Sequence, residues 1–358
     1  MKANIVLLPG DGIGPEIMAQ AEQVLVASAA KHGHSFSICN LPAGGASIDA
    51  HGEPLTADTL NACRKADAVL LGAVGGPQWD TIDPDIRPER GLLALRKGMG
   101  VFANLRPCSI HPALAAACPL RPDIIGQPGA QLVDILMVRE LTGDVYFGTH
   151  NTASDGQSAS DLMIYTVPEI ERIARVALTL ARGRRKKLCS VDKANILAAS
   201  RLWRETVTRV AAEYPDVELT HMYVDNAAMQ LILRPTQFDV VVTGNMFGDI
   251  LSDESAAIAG SLGMMPSASL GEGKTGLYEP IHGSAPDIAG RDLANPLGMI
   301  LSAALLMRHS LGLETEAQEI EKAVSRVLDS GYRTGDIYSE GCMRTGCTEM
   351  GRLVVESL

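Results

Sequence analysis

No stretch of this chain approaches the ~18 consecutive apolar residues of a membrane span. The apolar run nearest the N-terminus, Ile5 to Leu8, stops at Pro9. The expectation is therefore a chain with neither signal peptide nor spanning helix. Positive charge is also short: 31 Lys and Arg stand against 42 Asp and Glu, a net charge of −11. So acidic a chain is a poor partner for nucleic acid or an anionic membrane. Cysteines number seven, an odd count, with no CxxC pair. That argues against a disulfide framework or a zinc site and for reduced thiols in a cytoplasm. Internal repeats and low-complexity tails are absent too. What is present is ordinary globular material, 358 residues with 46% hydrophobic and 20% charged. That length implies two domains or one large α/β unit.

The start, NIVLLPGDGIGPEIMAQ, reads as strand, glycine turn and helix, with Pro15 suited to a first helical turn. Gly10, Gly12 and Gly14 invite a Rossmann assignment, but Pro15 stands where the fingerprint needs glycine or alanine. The fingerprint is rejected, which leaves a turn able to let a ligand approach the backbone. Ala66 to Pro77 is a second buried strand running into a glycine turn. A proline- and charge-rich loop, Asp80 to Arg90, leads into GLLALRK. Arg96, Arg106 and Arg139 sit near element ends. Each is an ordinary surface charge unless a polyanionic substrate is implied, in which case the guanidinium fork matches carboxylates bidentately. Residues 150–161 are polar and read as an exposed loop or hairpin arm, and Val167 to Arg182 as a helix.

A pattern then emerges along the chain. The strand LCSV is followed by Asp192 and Lys193, HMYV by Asp225, and FDVVVTG by Asp249. Arg139 ends a fourth strand, VDILMV. Open parallel sheets bind ligands outside the carboxyl ends of their strands, so charged residues delivered there repeatedly point to a site. Asp249 and Asp253 lie four apart, which stacks both carboxylates on one helix face. Such a pair is either a solvated acidic face or a seat for a hard divalent cation. Ser269 to Gly290 is rich in glycine and proline. It reads as a loop of little regular structure, either a plain connection or a phosphate- or cofactor-closing segment.

The segments GDGIGPEI, LLGAVGGP, GLLALRK, NLRP, VRELTGDVYFG, VDKANIL, HMYVDNAAMQL, TGNMFGDILSDE and EPIHGSAPDIAG resemble the β-decarboxylating dehydrogenases of the isocitrate/isopropylmalate family. The likeness spans essentially the whole chain. It implies an α/β, two-domain, non-Rossmann fold with a mixed, largely parallel sheet. One domain would combine residues 1–102 and 256–358, and the other would be 103–255, with an arm at about 150–165 serving a homodimer. Leu162 departs from the small polar residue usual in that arm.

The resemblance also implies roles. Asp249, Asp253 and, from the other subunit, Asp225 would bind Mg²⁺ or Mn²⁺, and Asp225 would also meet substrate. Arg96, Arg106 and Arg139 would clamp malate carboxylates. Tyr146 and the partner-supplied Lys193 would form the acid–base pair. Glu89, Leu92, Leu93 and Ile196 would surround the substrate's side chain. Glu279, His282, Gly283, Ser284, Ala285, Asp287, Ile288 and Asn295 would bind NAD, with Asp287 disfavouring a 2′-phosphate. K⁺ is compatible as an added monovalent cation.

The implied reaction is NAD-dependent oxidative decarboxylation of 3-isopropylmalate to 2-oxoisocaproate and CO₂ in leucine biosynthesis. The apolar leucine pair favours an alkyl substituent, with 3-benzylmalate and other 3-alkylmalates as alternatives. A metal-dependent lyase is the rival from another class.

Overall fold

The structure is a computed structural model that describes residues 1–126 and 132–358. The chain divides into two compact units. Unit 1 comprises Met1–Val101, His111–Pro119 and Ala259–Leu358; unit 2 comprises Phe102–Ile110 and Leu120–Ile258. The stretch His111–Pro119 thus clusters with the terminal segments, although the resemblance allotted it to the central domain.

Strands are numbered in chain order. They begin with β1 (Lys2–Gly10), β2 (Ser35–Asn40), β3 (Ala68–Ala73), β4 (Ala103–Ser109), β5 (Asp134–Glu140) and β6 (His150–Thr152). They continue with β7 (Ala159–Asp161), β8 (Lys187–Asp192), β9 (Glu218–Tyr223), β10 (Val240–Thr243), β11 (Pro266–Leu270) and β12 (Leu277–Pro280).

In unit 1 the strand order is β2-β1-β3-β12-β11. The first three junctions are parallel and β11 runs antiparallel to β12. β3 is buried at every position, as expected for a parallel strand with helices on both faces. The helix Gly14–His32 follows β1 directly and buries Ile17, Met18, Ala21, Val24 and Leu25. Leu277–Pro280 corrects the expectation of an irregular 269–290 stretch. Glycine and proline on either side hid a four-residue strand whose side chains are all buried.

In unit 2 the order is β4-β5-β10-β8-β9, with β4 antiparallel to β5 and the other three junctions parallel. β5 is buried from Ile135 onward. The helix Val167–Arg182 matches its expected bounds because both ends are signposted. Thr166 and Glu169 form a capping box, and a glycine follows at position 183. Residues 150–161 fold as an exposed hairpin, β6 paired with β7. Among the described residues no helix is long and apolar enough to cross a membrane.

Candidate active site

The register of unit 2 explains why distant sequence segments meet. Thr243 of β10 pairs with Arg139 on one side and Val191 on the other, and Asp192 pairs with Tyr223. Glu140 at the end of β5, and Lys193, Val224–Asp225 and Gly244–Asn245 just past theirs, therefore lie along one edge of the sheet. On the antiparallel side Asn104 faces Arg139 and Arg106 faces Met137. Directly opposed residues share a sheet face and side chains alternate along a strand. Both arginines are thereby placed on the same face.

That face is covered by the helix Asn245–Ile258. Arg139 donates through Nε and Nη2 to Asn245 Oδ1 at 3.0 and 2.8 Å, and its Nη1 bonds Asp249. Arg106 donates to Asn104 Oδ1 at 2.6 Å, to Ser252 Oγ at 2.6 Å and to Asp253 Oδ1 at 3.3 Å. Its Nη1 also lies 3.7 Å from Asp249. The Asp249–Asp253 repulsion is worth roughly 0.2–0.5 kcal/mol. One guanidinium at about 4 Å offers on the order of 4 kcal/mol at an effective dielectric near 20, less where solvent screens it. The arginines decide the balance. Glycine at position 248 makes their approach feasible, because a β-carbon there would lie 2.6 Å from Arg139 Cγ. Burial raises the Asp253 pKa, and Asp249 raises it further, against the two guanidiniums.

Tyr146 reaches the same carboxylate. Its hydroxyl donates to Asp249 Oδ2 at 2.7 Å, and the Arg139 guanidinium carbon sits 5.5 Å from its ring centre. Burial, then the hydrogen bond to Asp249, pushes its pKa up to about 12. At neutral pH the phenol keeps its proton, as an acid must.

Lys193 and Asp225 form a separate pair. Lys193 Nζ donates to Asp225 Oδ1 at 2.7 Å, and that hydrogen bond lowers the Asp225 pKa. Arg204 ties the two strand ends together. It grips Asp192 with Nε and Nη2 at 2.8 and 2.9 Å and lies 4.9 Å from the Tyr223 ring centre. Ile196, expected near the substrate, is 67% exposed. Among the described residues no three His, Cys, Asp or Glu side chains converge as a metal cage. One chain brings together two of the three expected carboxylates, Asp249 and Asp253, while Asp225 faces Lys193. Two carboxylates plus substrate oxygens and water are enough for Mg²⁺.

Unit 1 holds a different kind of cleft. It spans about 1080 Å³ including its mouth and is lined by Ile13, Leu262, His282, Ile288, Leu293 and Asn295, among others. Gly283 and Ala285 also line it. His282 Nε2 is buried and has no hydrogen-bond partner among the described residues. Burial lowers its pKa, so the ring is neutral and can meet an uncharged base or ribose. A largely apolar cleft with a few convergent polar groups fits a dinucleotide's adenosine end.

Other expected residues of unit 1 lie elsewhere. Asp287 is exposed. Ser284 turns its carbonyl toward the glycine turn, accepting from Ile13 N at 2.8 Å. A β-carbon on Gly12 would lie 2.0 Å from that same Ser284 oxygen. Close packing alone therefore accounts for glycine at these positions: Gly12 against the 284 loop, Gly10 against Ala73 and Gly14 against Pro9. Glu279 receives Arg96 Nη2 at 2.8 Å, a buried ion pair. Leu92 packs against the core cluster around Leu95 and Val69, Leu93 is half-buried and Glu89 exposed.

With this geometry established, comparison with known proteins is informative. The family model described as isocitrate/isopropylmalate dehydrogenase matches residues 4–354. A protein of Oleidesulfovibrio alaskensis named 3-isopropylmalate dehydrogenase is 58% identical, with 100% of both chains covered. Its Pseudomonas fluorescens namesake is also 58% identical, covering 100% of this chain and 99% of that one. Among solved structures, the isocitrate dehydrogenase of Methylococcus capsulatus superposes with a TM-score of 0.86 at 33% identity, over 99% of each chain. The chain belongs to the isocitrate/isopropylmalate dehydrogenase family.

Several residues of this family member were not reached from its sequence. Asn245, whose side-chain oxygen takes two bonds from Arg139, and Ser252, which takes one from Arg106, carry no charge to mark them. Asp336 accepts from Asn295 Nδ2 at 3.0 Å, 41 residues away in the chain. Asp11, inside the glycine turn, receives the N–H groups of Gly45, Ala46 and Gly75 at 2.8 Å each. Its position between two glycines was the available signal.

Proposed function

We propose that the protein oxidises 3-isopropylmalate with NAD⁺ and releases its β-carboxylate as CO₂, supplying 2-oxoisocaproate for leucine biosynthesis. The observation carrying this reading is the cluster on one face of unit 2. There a carboxylate pair, two guanidinium forks and a protonated phenol converge, in a chain 58% identical to proteins of that name.

In this reading Asp249 and Asp253 hold Mg²⁺ or Mn²⁺. A divalent cation held by them would supply Lewis acidity toward the substrate hydroxyl and the adjacent oxygen. Arg106 and Arg139 turn their forks from the aspartates to the malate carboxylates. Arg96, which the resemblance also assigns to a malate carboxylate, pairs with Glu279 in unit 1. Lys193 Nζ, as the neutral amine, takes the hydroxyl proton as hydride leaves carbon. Ile288, His282 and Asn295 would hold the adenosine end of NAD⁺, which would supply the acceptor for that hydride. Asp287, exposed and next in the chain to Ile288 of the unit 1 cleft, would accept from the ribose hydroxyls and repel a 2′-phosphate. The carbon–carboxylate bond then breaks, its electrons entering the enol. Tyr146 returns a proton to the carbon that lost CO₂.

Lys193 and Asp225 act in a second subunit's site. The exposed apolar residues Met229, Ile232, Leu233 and Ile250 of unit 2, with Leu162 and Ile164 beside the hairpin, support a homodimer. Mixing Lys193→Ala with Asp249→Asn subunits should restore roughly one intact site per mixed dimer. No recovery after confirmed subunit exchange would sink the sharing.

The deciding experiment is a panel of 3-isopropylmalate, isocitrate, malate, tartrate and 3-benzylmalate with NAD⁺ and Mg²⁺, read as NADH formed. 3-Isopropylmalate should lead on kcat/KM. A lead by isocitrate would contradict the alkyl pocket.

A further inference from the structure

Tyr146 is held to the carboxylate-bearing helix by more than its own hydroxyl. Two residues before it, Asp144 is 1% exposed and has φ 73°. That is the left-handed region, which is unfavourable for residues other than glycine and is eased for aspartate by local hydrogen bonding. Strain of this kind persists only where the surroundings over-determine it. Here they do. The main-chain N–H of Asp144 donates to Ile164 O at 3.0 Å. Its Oδ1 accepts the N–H of Val145 at 2.8 Å. Its Oδ2 accepts the Tyr165 hydroxyl at 3.2 Å and the Met246 N–H at 3.3 Å.

Met246 is in the first turn of the Asp249 helix, where main-chain N–H groups lack partners within the helix and attract negative charge. Tyr165 completes the seal by accepting the Asn245 N–H at 2.8 Å. A second strut runs beside it, from Asn245 Nδ2 to Gly143 O at 3.3 Å. The connections close a circuit: Asp144 to Met246, one helical turn to Asp249, Asp249 to the Tyr146 hydroxyl, and two residues of chain back to Asp144.

We infer that Asp144 is a positioning residue for the protonation step, its buried carboxylate clamping the Tyr146 turn to the N-terminus of the Asp249 helix. The inference rests on the proposed role of Tyr146. Asp144 meets no substrate and acts only by fixing where the Tyr146 hydroxyl sits relative to Asp249. Glycine would adopt the backbone conformation with less strain, so loss of the carboxylate is separable from loss of the turn.

The test is a double-mutant cycle on kcat with 3-isopropylmalate, NAD⁺ and Mg²⁺. Asp144→Gly should lower kcat by tenfold or more while KM for NAD⁺ stays within about twofold. Tyr165→Phe, which removes the relay hydroxyl alone, should lower it in the same direction by less. Asp144→Asn, which tolerates the left-handed turn and retains one acceptor, should recover part of the loss. In a Tyr146→Phe background, Asp144→Gly should change kcat by less than about twofold, because the group it positions is gone. An unchanged kcat in Asp144→Gly overturns the inference, as does an equal loss in both backgrounds. A normal kcat in Tyr146→Phe alone defeats the reading of Tyr146 itself, and is recognisable because it appears in that single variant.

Discussion

The two units are built alike and dressed differently. Among the described residues each has one row of five strands, four of them parallel and one antiparallel at the end of the row. In unit 1 the segments after β1 and β3 are glycine turns, and Asp11 in the first takes the N–H of Gly75 in the second and those of Gly45 and Ala46 after β2. Its cleft is largely apolar with one neutral, unpartnered imidazole nitrogen. In unit 2 the equivalent edge bears Arg139, Lys193, Asp225 and the Asp249 helix. Main chain and apolar surface recognise a ligand by shape, whereas fixed charges respond to charge that develops during reaction. Unit 1 is thus suited to holding a cofactor and unit 2 to changing bonds.

The sharpest way to break that division is at Tyr146. Tyr146→Phe removes a proton donor from unit 2 without altering unit 1, so kcat should fall by about 10²–10⁴-fold with KM for NAD⁺ unchanged. A variant that decarboxylates at the normal rate would refute the assignment. Arg139→Lys comes next. A lysine cannot span Asn245 and Asp249 as the fork does, and losing a charged hydrogen bond costs about 1.5–3 kcal/mol, roughly 10–150-fold in kcat/KM. Steady-state kinetics on 3-isopropylmalate would read it, and a loss under threefold would mean the fork is dispensable. The smallest effect belongs to unit 1. Asp287→Ala should raise KM for NAD⁺ about tenfold and narrow the preference over NADP⁺ while kcat stays within twofold. A fall in kcat instead would blur the two roles.

Much of unit 2 was legible because its signals are local. Short apolar runs ending in a charged residue mark buried parallel strands, and the four-residue spacing of Asp249 and Asp253 is a property of one helix. The helix Val167–Arg182 announces both its ends. The helix Ala198–Ala211, by contrast, starts without a side-chain cap, and such a start leaves little trace in the sequence. What escaped reading depends on pairing between distant segments. Nothing in NLRP says that Asn104 will face Arg139, and nothing near Asn295 points to Asp336. Strand β12 was lost among glycines, although Leu277 and Tyr278 are fully buried. The GDGIGP turn hid its packing partners: Gly12 lies against Ser284, Gly10 against Ala73 and Gly14 against Pro9. The ligand roles proposed for the site residues rest on resemblance, because spacing alone cannot separate a metal seat from a solvated acidic face.

The division of labour is tested most directly by calorimetric titration of NAD⁺ into a protein carrying both Asp249→Asn and Asp253→Asn, with turnover measured on the same sample. NAD⁺ affinity should stay within about threefold of the unsubstituted protein while 3-isopropylmalate turnover disappears. A tenfold or greater loss of NAD⁺ affinity, or turnover that survives in Mg²⁺, would contradict it.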